Sequence, residues 1–328
     1  MTQLVELQTA LPKFKQAGMK LYGISYDEPA ALAEFARHHG ITWPLLSDRG
    51  SKVIRRFGIL NHHVTKEQIP YYGIPFPGTY IVDEEGIITE KLFSRNLAAR
   101  SSPELMIDSA LGEILLGGDE PTTTGGNDDI QISATFHGGG GTIKNSVVRQ
   151  LIVRFELSEG LHIYDAPVPE GMVSTRIDVT GPEGVRTGDI LKQPTRPLTL
   201  PGLGVELNVW EGRVDFAMPI WIDDRIAGIT REHAMDEVPL TVTVHYQACD
   251  DHACRIPQQE TLTLSVPVGN YVGHKLAGRL SGASASSMNT RKYLTRMVWR
   301  GLLRSPIKGL LYLKNSLTAV RNGPSGRR

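Results

Sequence analysis

The sequence predicts three parts in order: an α/β layered domain, an antiparallel all-β sandwich and a basic helical C-terminal tail. Three observations carry this expectation. Helical and strand patterns alternate over residues 1–116. Short β-branched or alternating runs between Gly/Pro turns fill residues 130–268, and residues 291–328 hold ten Lys and Arg with no Asp or Glu. A length of 328 residues suits two domains, and a composition 40% hydrophobic and 21% charged can bury real cores. The formal net charge of zero conceals an acidic body, because the residues before the tail carry 25 basic against 35 acidic side chains. No run of 18 or more apolar residues occurs, so no transmembrane helix is expected.

The elements follow in order. Leu4, Leu7, Leu11 and Phe14 recur at helical spacing, and Met19 to Ser25 reads as a buried strand after the breaker Gly18. Glu28 to His39 is a second helix, with Asp27 as its N-cap and Pro29 in its first turn. Pro44 to Leu46 is a short strand and Ser51 to Phe57 a short helix. Thr79 to Asp83 and Ile87 to Phe93 flank Glu84-Glu85-Gly86 as a hairpin, and Pro103 to Leu115 closes the domain as a helix.

Residues 117–129 (GGDEPTTTGGNDD) are polar and Gly/Thr-rich, which suggests a linker. Beyond it, Val147 to Glu156, Arg176 to Val179, Val205 to Trp210, Arg213 to Ile220, Leu240 to Tyr246 and Thr261 to Val266 are the strand-like runs of the sandwich. Trp210 and Trp221 are expected in its core. A second linker covers residues 269–290. In the tail, Lys292, Arg296, Arg300, Arg304 and Lys308 recur every fourth residue with Leu294, Met297, Val298, Trp299, Leu302 and Leu303 between them. That pattern is a basic amphipathic helix up to Pro306, suited to an anionic membrane surface and, having no base-reading motif, not to nucleic acid.

Ile74 to Phe93 (IPFPGTYIVDEEGIITEKLF) resembles the late part of a thioredoxin-fold redoxin domain of the peroxiredoxin, or thiol-specific antioxidant, superfamily. The resemblance covers residues 1–116 and implies a thioredoxin-like domain whose first strand is missing. It places Pro77 at the position where such folds carry a cis-Pro beside the redox site, with Thr79 next to it. The pattern departs where it matters: family members carry a Cys-bearing loop ahead of the first helix, and here no Cys occurs before Cys249. A thiol peroxidase needs a thiolate there, so peroxidase activity is not expected of this chain. A start codon further upstream is one explanation and a degenerate, non-catalytic redoxin the other.

Two further passages, Gly160 to Gly171 (GLHIYDAPVPEG) and Tyr246 to Pro257 (YQACDDHACRIP), resemble the N-terminal domain of DsbD-type disulfide-interchange proteins. That resemblance spans residues 130–268 and implies an immunoglobulin-like sandwich with a redox Cys pair, Cys249 and Cys254, on a hairpin. It implies a thioredoxin-fold redox protein as partner, needs no cofactor, and sets His162, Tyr164, Tyr246 and His252 beside the pair. It also implies a periplasmic setting, although Met1 opens an amphipathic helix and no signal-peptide pattern is visible.

The residues around the pair leave its chemistry open. Four residues separate Cys249 from Cys254, so a bridge closes a short loop and stabilises less than the ~3 kcal/mol of a 15-residue loop. Such a weak staple suits a redox couple, yet a static disulfide remains an alternative. So does a metal site drawing on Cys249, His252, Cys254 and His245, for which no second knuckle is present. Asp250 and Asp251 disfavour thiolate, and His252 opposes them when protonated. Three functions follow: thiol-disulfide exchange through Cys249/Cys254, a peroxide-reducing redoxin with its peroxidatic Cys upstream, or a non-catalytic redox scaffold.

Overall fold

The structure, a computed structural model, describes residues 2–65, 72–93, 99–200, 205–227, 235–250, 253–269, 272–274, 284–286 and 299. The expected basic tail lies outside these residues except for Trp299, which is exposed. Among the described residues no helix is long and apolar enough to cross a membrane. Two compact units emerge, one made of residues 1–10 and 78–286, the other built on Leu11–Pro77.

The opening helix is two helices, α1 (Thr2–Thr9) and α2 (Leu11–Gln16). Pro12 cannot donate a backbone hydrogen bond and its ring crowds the preceding turn, which accounts for the break. In the smaller unit β1 (Gly23–Ser25) runs through α3 (Pro29–His39) to β2 (Leu45–Ser47), and β1 pairs with β2 in parallel from Gly23↔Leu45 to Ser25↔Ser47. This β-α-β step is the expected thioredoxin-like element, with a shorter first strand. Glu28, not Asp27, is the N-cap of α3, and it makes no side-chain cap. Asp27 instead takes a hydrogen bond from Ser25 Oγ at 2.5 Å. Helix α4 (Lys52–Arg56) is capped from a distance: both Asp48 carboxylate oxygens accept backbone N–H groups, of Lys52 at 2.9 Å and Ile54 at 2.8 Å. Phe14 and Ile54 are fully buried.

The larger unit contains the predicted hairpin, β3 (Gly78–Val82) against β4 (Ile88–Phe93), closed where Asp83 Oδ1 accepts the Ile87 N–H. Strand β5 (Arg100–Ser101) leads into α5 (Pro103–Leu111), whose N-cap Ser102 accepts the Leu105 N–H and whose Gly112 ends it in the left-handed region, at φ 67°. Part of the expected linker is a strand. β6 (Thr122–Gly126) pairs antiparallel with β7 (Ile130–His137), and Asn127 Oδ1 accepts the Asp129 and Ile130 N–H groups to close the turn. Gly126, at φ 94°, leaves no room for a Cβ, which would lie 2.1 Å from the Ile130 carbonyl oxygen.

The sandwich follows: β8 (Val147–Leu157), β9 (His162–Tyr164), β10 (Arg176–Thr180), β11 (Val185–Thr187), β12 (Leu191–Lys192), β13 (Arg196–Leu200), β14 (Val205–Glu211), β15 (Arg213–Ile222), β16 (Glu237–Tyr246), β17 (Ala248–Cys249) and β18 (Gln258–Pro267). One sheet has the order β11-β15-β8-β7-β6, with β12 on β15 and β5 on β8; a second is β10-β16-β18, and a third β13-β14-β9-β17. Alternation along β16 sends Val238, Leu240, Val242 and Val244 inward against Phe136, Phe155, Phe216 and Ile220 of the first sheet. Trp210 belongs to this core. Trp221 does not: Ile220 and Ile222 point into the core, so Trp221 faces the other way, against Ala99, Leu105 and Val148. Two short strands, β19 (Val272–His274) and β20 (Ser284–Ser286), pair in parallel within the expected second linker.

A buried ionic network ties α5 and the segment ahead of β6 to the sandwich. His137 lies 2.9 Å from Asp108 Oδ2 and 3.0 Å from Glu120 Oε1, all three nearly inaccessible to solvent. Burial alone disfavours the imidazolium, but the hydrogen bonds and charges of Asp108 and Glu120 outweigh it and raise the His137 pKa above its ordinary 6.5. For Glu120 burial is likewise outweighed, by the Gly117 and Gly118 N–H groups and His137, and its pKa falls below the ordinary carboxylate value. The raised His137 contributes stability that is complete below 6.5 and is lost as pH rises through its folded value. The lowered Glu120 contributes stability present above its ordinary value and lost as pH falls through the folded one. Thermal melts from pH 6 to pH 9 are therefore expected to show a falling Tm in the parent and a flatter profile in His137→Gln; parallel profiles would exclude this linkage.

Candidate functional site

Strand β16 ends at Tyr246, Gln247 carries the chain across, and β17 settles on β9 with Ala248 opposite Ile163 and Cys249 opposite His162. Asp250 then makes the turn. Its N–H donates to the Ala253 carbonyl (3.0 Å) and its Oδ1 accepts the Ala253 N–H (2.8 Å), an Asx-type closure that folds Cys254 back beside Cys249. The two cysteines are joined, with Cα atoms 4.1 Å apart. Gln247 fixes the base of this hairpin, accepting the Val173 N–H and donating to the Arg255 carbonyl, both at 2.9 Å. Arg255 in turn reaches Asp129 Oδ2 at 2.8 Å.

The two sulfurs have unlike surroundings. Cys249 is 1% exposed and packs with Tyr164, Leu207 and Val209, bordered by Val168, Met172 and Leu198, whereas Cys254 is exposed. His162 and Tyr164 lie on one face of β9, His162 Nε2 3.0 Å from Tyr164 Oη, and that hydroxyl 3.9 Å from Cys254 Sγ. A buried Cys249, an exposed Cys254 and a hydroxyl-imidazole pair thus meet at one hairpin tip.

Residues 143–266 match the family described as thiol:disulfide interchange protein DsbD, N-terminal. Residues 1–91 match the AhpC/TSA family. The chain therefore joins a redoxin region to a DsbD N-terminal-type domain. Over 110 residues it is 30% identical to the chloroplastic peroxiredoxin Q of Populus jackii and 32% to that of Gentiana triflora, in each case 33% of this chain. It spans just under half the length of these relatives, 46% and 45%. Among solved structures it is similar to the N-terminal periplasmic domain of ScsB from Proteus mirabilis (18% identity, TM-score 0.31, covering 44% of this chain and 51% of that one). It is also similar to the reduced DsbD N-terminal domain of Neisseria meningitidis (14%, TM-score 0.23, covering 45% and 88%).

Four expected residues of the DsbD-type site meet at the hairpin: Cys249, Cys254, His162 and Tyr164. Burial pushes the Tyr164 phenol above its ordinary pKa, so it is a neutral hydrogen-bonding group. Tyr246 belongs to the sandwich core, its ring edge-on to Phe155 at 5.4 Å and its hydroxyl buried without a hydrogen bond. His252 lies outside the described residues. His245 faces Asp178 at 3.7 Å, and among the described residues no group of three His, Cys, Asp or Glu side chains is arranged to hold a metal. Thr79 is in β3 opposite Leu92, on a separate two-stranded sheet. Pro77 closes the smaller unit, and among the described residues the one cis peptide is Ala166-Pro167, so the Phe76-Pro77 bond is trans. The supporting roles of Gln247, Arg255 and Asp129 are new from the structure; Gln247 stood within the quoted motif without a role, and nothing in the sequence links Asp129 to Arg255.

Proposed function

We propose that this chain is a thiol-disulfide exchange protein in which Cys249 and Cys254 cycle between disulfide and dithiol against a thioredoxin-fold redox partner. The observation that carries the reading is the asymmetry of the bridge, one sulfur open at a hairpin tip and the other buried in an apolar cluster. An incoming thiolate reaches the Cys254 sulfur in line with the S–S bond, forms the mixed disulfide there, and releases Cys249 as the leaving thiolate. A second thiolate on the partner then attacks the mixed disulfide at the partner's sulfur and frees Cys254. The partner dithiol loses two electrons and this pair gains them. Residues 1–116 hold no Cys, so the sulfurs of this cycle are Cys249, Cys254 and those of the partner.

Alkylation of the full chain across a series of redox buffers, read by intact mass, tests the reading. Two thiols are expected to appear together, at a potential above about −300 mV; a potential below that marks a structural bridge and overturns the exchange role.

A further inference from the structure

Gain and loss of a proton at Cys254 call for a group that can exchange one with its sulfur. Tyr164 is the one described side chain with a hydroxyl within hydrogen-bonding reach of that sulfur, and its phenol is held neutral by burial. A neutral phenol in an apolar cluster is a poor proton acceptor, so by itself it can only pass a proton on. The next group is His162, 3.0 Å away and 1% exposed. Charged groups stand on both strands that flank His162. Glu211 of β14 stands opposite it in the ladder, itself paired with Arg196 of β13, while Cys249 of β17 is its other cross-strand neighbour and Asp250 follows Cys249. The Glu211 carboxyl is held below the ordinary range first by the Arg196 hydrogen bond and in part by the charge of His162, so the two feel one another.

We propose that His162 acts through Tyr164 as the proton carrier for Cys254. This rests on the exchange reading. When the reduced pair attacks a disulfide, Cys254 gives its proton to the Tyr164 oxygen as the Tyr164 proton moves to His162 Nε2. A neutral thiol and a neutral imidazole become a thiolate and an imidazolium, with Glu211 opposite the new positive charge. When Cys254 is released as a thiolate at the end of the reverse cycle, the two transfers run backward. Tyr164 touches the reacting sulfur; His162 is a positioning and proton-holding residue one step behind it.

The test is the pH profile of Cys254 alkylation by iodoacetamide in the fully reduced full chain, followed by peptide mass, in the parent, His162→Gln, Tyr164→Phe and the double variant. The expected result is that either single change slows Cys254 at pH 7 roughly tenfold, as a thiol pKa raised by about one implies, and that the double variant is no slower than either. Cys249 alkylation should not change. Superimposable Cys254 profiles in Tyr164→Phe, which removes only one oxygen, overturn the relay even if His162→Gln folds poorly. A second readout is the His162 ring nitrogen shift across pH in the oxidised and reduced parent. Its titration should move when the disulfide opens, and an unmoved titration also overturns the relay. Intact mass of the parent across redox buffers reports separately on whether the pair cycles at all, so failure of the exchange reading is distinguishable from failure of the relay.

Discussion

Cys249→Ser is expected to trap this chain on its partner, and Cys254→Ser to silence it. In the first variant the remaining thiol is the exposed one, with Tyr164 beside it, and no second sulfur is left to resolve the mixed disulfide that forms there. In the second the remaining thiol is Cys249, packed against Tyr164, Leu207 and Val209. A reagent reaches that sulfur only when the cluster opens locally, so its alkylation is expected to be at least about tenfold slower than that of Cys254 in the first variant. Non-reducing electrophoresis with a disulfide-form thioredoxin-fold protein reads the trap directly. Equal trapping by both variants would show that the sulfurs are interchangeable and that the buried-exposed asymmetry has no role in the order of attack.

Removing Arg149 should be the most damaging substitution in the larger unit. Its guanidinium is fully buried, with Nη2 2.8 Å from Glu6 Oε1, Nη1 3.8 Å from Glu104 Oε2 and Nε donating to the Thr142 carbonyl at 3.2 Å. Lys144 adds a second cation on Glu6 at 2.9 Å. Arg149→Met keeps the aliphatic volume and deletes the charge, leaving Glu6 with Lys144 alone and removing the arginine beside Glu104. Breaking a buried ion network from one side costs ~3–5 kcal/mol, and for a unit of this size that corresponds to a fall in Tm on the order of 10 °C. Calorimetry of the full chain measures it. A loss below about 1 kcal/mol would mean that water reaches the carboxylates as soon as the arginine is gone.

What the sequence revealed of this fold divides along physical lines. β16 and β18 were legible because their inward residues alternate strictly, Val238, Leu240, Val242 and Val244 against Leu262, Leu264 and Val266. β6 was not, because Thr122 to Gly126 has no apolar residue and its pairing depends on β7 and on the Asn127 turn. β9 is three residues long and buries a His, and β13 contains Pro197, so neither shows a strand period. The disulfide pair with His162 and Tyr164 was legible through the DsbD-like motifs. The His137 cluster was not, since Asp108, Glu120 and His137 are brought together from separate elements and each alone reads as a solvated side chain. The same holds for the Arg255 contact with Asp129, 126 residues away.

The bond between Arg149 and Glu6 spans 143 residues, and that distance sets a clock on the ribosome. At about 5–20 residues per second, Glu6 emerges roughly 7–30 s before its arginine. During that interval α1 carries a carboxylate and the apolar Leu7 with no partner to cover them, long enough for the chain to find and leave many non-native contacts. Helix α1 is thus secured to the larger unit only after β8, the strand between β15 and β7, has been made, so its capture follows strand synthesis rather than starting the fold.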